Sequence, residues 1–214
     1  MNNLIIIGAG GFGREVLWLI ERINHEKTTW NVLGFLDDNR ILGELINNYP
    51  VLGKIDDITK YQESFFVTAI GASKTRKTVI DKIGTIFPEA KFATLIDPSV
   101  IMSECVEIGK GSIVCAGNII TVNIRIGNHV IINLDCTVGH DAQINDFVTL
   151  YPSVNVSGMT SIGYASEVGT GTQIIQGKNI GNYTIVGAGA VVVKDIPSNC
   201  TAVGIPAKPI KINE

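Results

Sequence analysis

The stretch IGNHVIINLDCTVGHDAQI, residues 126–144, carries an aliphatic side chain at every sixth position, from Ile126 to Ile144. The same spacing continues without a miss from Ile96 to Val192. A period of six matches neither the period of a helix, about 3.6 residues, nor the two-residue alternation of a half-buried strand. It is the hexapeptide repeat of a parallel β-helix, and it predicts that fold for the C-terminal half.

Two other positions of the hexad are also patterned. The residue after the aliphatic one is often a turn-former, which tolerates the positive φ that a sharp corner demands. The residue two places before it is mostly small or β-branched, which suits a cramped interior. The turn-formers are Gly109, Gly127, Asn133, Gly139, Asn145, Gly163, Gly169, Gly181 and Gly187. The interior residues are Val106, Ser112, Cys136, Ala142, Val148, Thr160, Ser166, Thr172, Thr184 and Ala190.

Three hexads complete one triangular coil, so aliphatic side chains three hexads apart are predicted to stack as ladders inside a prism. About five to six coils at ~4.8 Å each give a rod of roughly 25 Å. Residues 194–197 break the period, and residues 204–209 include two prolines. Because proline cannot donate to a strand ladder, we expect this tail to end strand pairing and cap the last coil. A purely structural rod is the alternative, but it would need no second domain.

The first residues predict a phosphate-binding turn. A hydrophobic strand over residues 2–7 is followed by Gly8-Ala9-Gly10-Gly11-Phe12-Gly13 and a helix-like stretch over residues 14–23. This is a GxGxxG pattern between a strand and a helix, where backbone N–H groups and a helix N-terminus can hold phosphate. The alternative is that the glycines only make a tight turn.

Two more predicted strands, residues 30–36 and 64–70, end in Asp37-Asp38 and in Gly71. Ligands bind at the carboxyl ends of such strands. Only half of a Rossmann unit precedes the repeats, so a nucleotide attached to another group fits better than a dinucleotide. We predict an α/β half-Rossmann domain over residues 1–90 and a β-helix with its cap over residues 91–214. The candidate ligand-binding residues of the first domain are Gly10, Gly11, Phe12, Asp37, Asp38 and Gly71.

Composition excludes several classes of protein. The chain has 20 acidic and 17 basic residues, a net charge of -3, so it lacks the basic footprint of a nucleic-acid-binding protein. Its apolar runs fall short of the roughly 20 residues that span a bilayer, and its start does not resemble a signal peptide. Four cysteines form no CxxC pair, which suits a reducing compartment. We therefore expect a cytoplasmic protein without membrane insertion.

One histidine has the sequence context of a catalytic base. His140 is followed directly by Asp141, and an adjacent carboxylate can hold an imidazole in one tautomer and make it more basic. His25 and His129 are expected to be solvated, and the nearby Asp135 and Asp146 to form turns. No metal-ligand cluster or nucleophile elbow is visible in the sequence.

The whole chain resembles bacterial nucleotide-sugar acetyltransferases of the sialic acid O-acetyltransferase type, close to enzymes that N-acetylate UDP-4-amino-sugars. The motifs that carry this resemblance are the opening Ile7-Gly8-Ala9-Gly10-Gly11-Phe12-Gly13, Phe35-Leu36-Asp37-Asp38, Ala69-Ile70-Gly71, Val138-Gly139-His140-Asp141 and the closing Val203-Gly204-Ile205-Pro206-Ala207-Lys208. The resemblance implies a left-handed β-helix, a UDP-sugar in the N-terminal crevice, and acetyl-CoA along the rod between two subunits of a homotrimer.

In the scheme that the resemblance implies, His140 takes a proton from the acceptor as it attacks the acetyl carbonyl, and Asp141 raises the basicity of the imidazole. Asn133 joins the candidate substrate-binding residues. Thr149 stands where a relative carries histidine, and Asp141 where it carries glutamate. The implied contacts to acetyl-CoA fall on Thr149, Gly158, Gly169, Thr170, Gly187 and Ala188.

The sequence therefore predicts an acetyl-CoA-dependent N-acetyltransferase of a UDP-linked 4-amino-sugar. O-acetylation of sialic acid or another sugar hydroxyl is the first alternative, because the same base and cosubstrate would serve it. An NAD-linked oxidoreductase would need a second nucleotide-binding half and a substrate domain that is not a rod. A non-catalytic nucleotide-sugar-binding scaffold would leave His140 replaceable without effect.

Overall fold

The computed structural model describes residues 1–212, which divide into two compact units, Met1–Pro98 and a second that begins at Ser99. The first unit is an α/β sandwich built on a mainly parallel sheet of strand order β3-β4-β2-β1-β5-β6. Its elements are β1 (Asn2–Ile7), α1 (Gly11–Glu26), β2 (Trp30–Leu36), β3 (Leu45–Ile46), β4 (Tyr49–Gly53), a 3-10 helix (Ile55–Tyr61), β5 (Phe65–Thr68), α2 (Ser73–Ile86), β6 (Lys91–Phe92) and β7 (Leu95–Ile96).

The order of these strands explains where a ligand site forms. β1 pairs in parallel with β2 on one side and with β5 on the other, so the carboxyl ends of the three strands lie together. Their inward side chains pack with those of the helices, as Ile7, Leu36, Phe66 and Ile83 do in one buried cluster.

The first unit extends beyond the boundary expected at residue 90. β6 adds to the sheet beside β5, with Phe66 opposite Phe92. Near its end, Asp97 is buried and accepts two hydrogen bonds from Arg22 of α1, from Nε at 2.6 Å and from Nη2 at 3.1 Å. These contacts of β6 and Asp97 place the end of the first unit after residue 90.

The second unit is a parallel β-helix of two-residue strands that form three faces. Each strand pairs with the strand three hexads along the chain, as Ile120 does with Val138 and Val138 with Val156. The strands are, in order from β8 to β23, Ile101–Met102, Glu107–Ile108, Ile113–Val114, Ile119–Ile120, Arg125–Ile126, Ile131–Ile132, Thr137–Val138, Gln143–Ile144, Thr149–Leu150, Asn155–Val156, Ser161–Ile162, Glu167–Val168, Gln173–Ile174, Asn179–Ile180, Ile185–Val186 and Val191–Val192.

These strands are distributed over the three faces in turn. Face 1 contains β10, β13, β16, β19 and β22, face 2 contains β8, β11, β14, β17, β20 and β23, and face 3 contains β9, β12, β15, β18 and β21.

The interior of the prism follows the predicted pattern. The aliphatic residues from Val114 to Val192 are buried, as are small residues such as Ser112 and Ala190. Met102, in the first complete coil, is 41% exposed because no earlier coil pairs with β8. The narrow core explains why the interior positions carry short side chains.

The prediction about the corners is wrong in one respect. Positive φ occurs at the third residue after the aliphatic one, not at the first. The glycines at the first position serve close approach between coils instead: a Cβ on Gly109 would lie 2.5 Å from the carbonyl carbon of Gly127, and one on Gly169 would lie 2.5 Å from the backbone nitrogen of Ala188.

The positive-φ residues form three columns that define the edges of the prism. The first edge, between faces 1 and 2, contains Gly117, Asp135, Ser153, Gly171 and Gly189; the second, between faces 2 and 3, contains Asn123, Asp141, Met159 and Gly177; the third, between faces 3 and 1, contains Gly111, His129, Phe147, Ala165 and Tyr183.

His129 on the third edge is buried, contrary to the expectation that it is solvated. It is 4% exposed, and its ring stacks on Phe147 of the next coil at 5.3 Å between centroids and 14° between planes. The absent side chain of Gly111 gives it room, since a Cβ there would lie 2.4 Å from the imidazole Nδ1. His25 is exposed, as expected.

The tail forms a hairpin after the last coil. β24 (Cys200–Val203) pairs in parallel with β22 and antiparallel with β25 (Lys208–Ile212). Val186 pairs with Ala202, 16 residues along, so this turn of the chain is two residues shorter than the others. The expectation that the prolines end strand pairing is wrong, because Pro209 lies within β25, an edge strand where a missing N–H is tolerated. Within residues 1–212, no helix combines the length and apolar character needed to cross a bilayer.

Candidate active site

The first unit contains a cleft of about 470 Å³ at the carboxyl ends of β1, β2 and β5. The structure brings together here all six ligand-binding residues predicted for this unit: Gly10, Gly11, Phe12, Asp37, Asp38 and Gly71. Sequence reasoning missed Asn39, Ile55, Thr75 and Val79, which also line the cleft. Gly71, Thr75 and Val79 follow one another at the spacing of one helical turn, which places them on the same side of the start of α2. That spacing was the available signal in the sequence.

The glycine-rich turn directs the start of α1 into this cleft. The helix begins at Gly11, three residues before the predicted start, and no side chain caps it at Gly10. Gly13 packs directly on the preceding turn, because a Cβ there would lie 2.1 Å from the carbonyl oxygen of Gly8. The first N–H groups of a helix and its dipole favour an anion such as phosphate.

The two adjacent acids of the cleft have different environments. Asp37 accepts hydrogen bonds from the backbone N–H groups of Ala9 and Asn39, each at 2.8 Å, so both of its oxygens brace the loops. Asp38 accepts one hydrogen bond from the backbone N–H of Ile55 at 2.9 Å, and its other oxygen lies 3.7 Å from Nζ of Lys82. Since 41% of its side chain is exposed, Asp38 is the acid that a ligand can reach.

Asparagine substitutions should separate these two roles. Asp37→Asn places an amide donor against a backbone donor, so we expect Tm to fall by about 4 °C, as for the loss of one or two kcal/mol. Asp38→Asn should leave Tm unchanged and weaken binding of a nucleoside diphosphate by about tenfold. Thermal unfolding and calorimetric titration measure the two effects. Equal changes of Tm and of nucleotide affinity in the two variants would contradict a structural role for Asp37 and a ligand-binding role for Asp38.

His140 and Asp141 form a hydrogen-bonded pair on the second edge of the prism, directly after β14. Nδ1 of His140 lies 2.8 Å from an Asp141 carboxylate oxygen, and both side chains are about half exposed. The other carboxylate oxygen accepts a longer hydrogen bond from the Asn123 amide, 3.4 Å away on the preceding coil. Asn123 was missed from sequence, although its place one coil before Asp141 was the signal.

This pair fixes the protonation pattern of the imidazole. The hydrogen bond from His140 is the main reason why the pKa of Asp141 lies below its ordinary value, and the Asn123 amide lowers it further. The carboxylate is therefore ionised at neutral pH, and this interaction is lost only as the pH falls through that lowered pKa. With the Nδ1 proton directed at Asp141, the lone pair is on Nε2, as a general base requires.

Gly158 of the next coil makes room for the His140 ring. A Cβ at Gly158 would lie 2.5 Å from Nε2 and 2.7 Å from Cε1 of the imidazole. The equivalent positions one coil before His140 and one coil after Gly158 carry Val122 and Gln176, so the coil itself tolerates side chains here. Glycine at 158 thus serves the placement of the imidazole.

The residues predicted to contact acetyl-CoA lie on two edges. Gly169, Thr170, Gly187 and Ala188 follow face 1 on the first edge, whereas Gly158 lies with His140 on the second. Thr149 has no exposed surface, so the structure does not support it as a contact.

Asn133 lies on the first edge and is 9% exposed. Its side-chain oxygen accepts a hydrogen bond from the backbone N–H of Leu134 at 2.7 Å. No metal-binding group of three or more His, Cys, Asp or Glu side chains occurs within residues 1–212.

The first unit matches a known domain family. Residues 3–83 match the PglD N-terminal domain. Over 219 aligned residues the chain is 32% identical to GDP-perosamine N-acetyltransferase of Escherichia coli O157:H7. The alignment covers 99% of this chain and 97% of that protein.

Solved structures share the complete fold. One is perosamine N-acetyltransferase from Caulobacter crescentus, solved as a His→Asn mutant with CoA and GDP-perosamine. It superposes with a TM-score of 0.89 at 29% identity, and the match covers 98% of this chain and 97% of the Caulobacter chain. The acetyltransferase domain of PglB from Neisseria gonorrhoeae, in complex with acetyl coenzyme A, has a TM-score of 0.87 at 33% identity and covers 98% and 100%.

These matches confirm the predicted α/β unit followed by a left-handed β-helix, as well as the family resemblance. The chain belongs to the hexapeptide-repeat sugar acetyltransferases, enzymes that use acetyl-CoA as cosubstrate.

Proposed function

We propose that the protein transfers the acetyl group of acetyl-CoA to the amine of a nucleotide-linked amino-sugar. The observation that carries this proposal is a phosphate-compatible cleft and a His140–Asp141 pair in one chain whose full-length relative is a GDP-perosamine N-acetyltransferase. Asp38 and the start of α1 would hold the nucleotide, and Asn133 remains a candidate contact to the sugar.

The nucleotide of the acceptor is the point on which sequence and relatives differ. The sequence predicts a UDP-linked 4-amino-sugar, whereas the relatives described with a nucleotide carry GDP-perosamine. We therefore place a GDP-linked amino-sugar first and a UDP-linked one second.

In the proposed reaction, Nε2 of His140 removes a proton from the acceptor amine as its nitrogen attacks the thioester carbonyl carbon. Asp141 stabilises the resulting imidazolium through the hydrogen bond to Nδ1. The C–S bond then breaks, and the CoA sulfur leaves as a thiol after taking the proton from the His140 imidazolium, which returns the imidazole to its neutral form. The new amide forms directly, without an acyl-enzyme.

The proposed acetyl-CoA contacts favour a site that a second copy completes. Gly158 and Gly187 lie on different edges of the prism, with the whole of face 2 between them. In a homotrimer, the second edge of one subunit can face the first edge of the next, so one acetyl-CoA contacts both. Sedimentation of the purified protein as a trimer would support this assembly, and a monomer with full activity would contradict it.

A thiol-release assay tests the proposed activity. Acetyl-CoA is offered with GDP-linked and UDP-linked 4-amino-sugars, their 4-hydroxy counterparts, and free sialic acid. We expect CoA release with an amino-sugar only, and a product that resists hydroxylamine because it is an amide rather than an ester. Hydroxylamine-labile product from a hydroxyl acceptor would indicate O-acetylation. Binding of nucleotide-sugars without turnover would favour a scaffold.

A further inference from the structure

The part of the cleft wall formed by Ile70 and Gly71 is held by a buried charged side chain. Arg76 of α2 is 1% exposed, although arginine is rarely so buried unless its donors are bound. Its Nη1 atom donates hydrogen bonds to the carbonyl oxygens of Ile70, at 2.6 Å, and of Gly71, at 2.9 Å. Both residues line the cleft, so the guanidinium fixes part of its wall.

A buried guanidinium is a costly way to fill space. Moving the charge out of water is unfavourable, and an apolar side chain of similar volume often packs as well or better. The carbonyls that Arg76 holds belong to the loop between β5 and α2, which has no regular pairing of its own. The two hydrogen bonds from Arg76 therefore restrain the conformation of that loop.

The direction of the two carbonyls determines the direction of the neighbouring N–H groups. In a trans peptide the C=O and the N–H of the same unit point in opposite directions. Because the carbonyls of Ile70 and Gly71 point toward Arg76, the N–H groups of Gly71 and Ala72 point away from it. Ala72 is the last residue before α2, and its side chain makes no cap to the helix.

We propose that Arg76 is a positioning residue for the nucleotide diphosphate: by binding the carbonyl oxygens of Ile70 and Gly71 it keeps these acceptors turned from the phosphates and fixes the shape of this wall. The inference rests on the proposed function, since it requires a nucleotide-linked acceptor in this cleft. It assigns Arg76 no contact with the substrate.

The test is calorimetric titration of the full-length protein with GDP, UDP and acetyl-CoA. We expect Arg76→Gln to raise the Kd of the preferred nucleoside diphosphate at least tenfold, on the order of one charged hydrogen bond. Arg76→Lys should lose less, because its ammonium can still donate to both carbonyls. The Kd of acetyl-CoA should stay within about twofold, and in turnover the acceptor KM should rise more than kcat falls.

Ile83→Val is the matched control for destabilisation of α2. Ile83 is fully buried on the same helix, and the smaller side chain should lower Tm without weakening GDP or UDP binding. The inference is overturned if, at an equal loss of Tm, Ile83→Val raises the Kd of the nucleoside diphosphate as much as Arg76→Lys does. Unchanged affinity in both folded Arg76 variants also overturns it, and Arg76→Lys decides the matter if Arg76→Gln does not fold. A wild-type protein that binds neither GDP nor UDP overturns the proposed function as well.

Discussion

Replacement of His140 by alanine is expected to lower kcat by about 10²–10⁴-fold, the usual contribution of a general base. The physical reason is the geometry of the pair: Nδ1 lies 2.8 Å from Asp141, so Nε2 keeps the lone pair that would accept the amine proton in the proposed reaction. The acceptor KM and the Kd of acetyl-CoA should change little, because the imidazole acts on the reacting amine. Steady-state kinetics with the preferred amino-sugar measures the effect.

Two observations would show how His140 acts. In the alanine variant, the pKa of Asp141 should rise toward its ordinary value, since its main hydrogen-bond donor is gone. That change can be followed by NMR of the carboxylate. Full activity of a correctly folded His140→Ala protein would rule out the histidine as the base and would favour a reaction in which solvent takes the proton.

Replacement of Gly158 by alanine is expected to reduce kcat by about 10–100-fold, because a displacement of roughly 1 Å at a catalytic group can cost that much. The new Cβ would lie 2.5 Å from Nε2 of His140, so the ring has to move. The ring is half exposed and can rotate outward, so Tm should remain nearly constant. A loss of activity without a loss of stability is the expected signature.

A double-mutant cycle separates this effect from a direct contact between Gly158 and acetyl-CoA. If the alanine acts through the imidazole, it should cost nothing further in the His140→Ala background. An additional loss there, with weaker acetyl-CoA binding, would instead indicate a direct contact. Gly84→Ala is the control, because Gly84 is exposed and a Cβ there meets no atom within 4 Å.

The fold was predictable because the same constraint recurs in every coil. Each aliphatic residue from Val114 to Val192 fills an equivalent buried place, so a single departure would hardly weaken the pattern. The N-terminal cleft was predictable because a glycine-rich turn between strand and helix, and acids after the next strand, fall at the same end of a parallel sheet.

The corners were mispredicted because glycine has two distinct uses. The glycines after each aliphatic residue were expected to supply a positive φ at the corners. Instead, Phe147 and Met159 adopt the left-handed region, whereas Gly109 and Gly169 do not. These glycines are small because the next coil passes within 3 Å of where a Cβ would lie. A local pattern does not reveal such an approach, since it depends on residues three hexads away.

Contacts distant in sequence also determined the details of the site. The difference between Asp37 and Asp38 depends on the N–H of Ala9, which no spacing rule places beside one acid rather than the other. The burial of His129 depends on Phe147, one coil later. Comparing residues three hexads apart would have suggested the contact between His129 and Phe147, but not the hydrogen bond between Ala9 and Asp37.

The stacking of coils also restricts how such a chain can evolve. Val138 and Val156 meet because the same length of chain separates the stacked strands from β8 to β23, so one inserted residue within a strand would turn the following side chains inside out. Deletions and duplications are therefore tolerated in units of a whole coil, or as a loop that bulges from an edge. The two-residue shortening before Ala202 occurs where only the final hairpin follows, so it disturbs no later coil. Natural variation in the length of the rod should accordingly be stepwise, with gradual change confined to its ends.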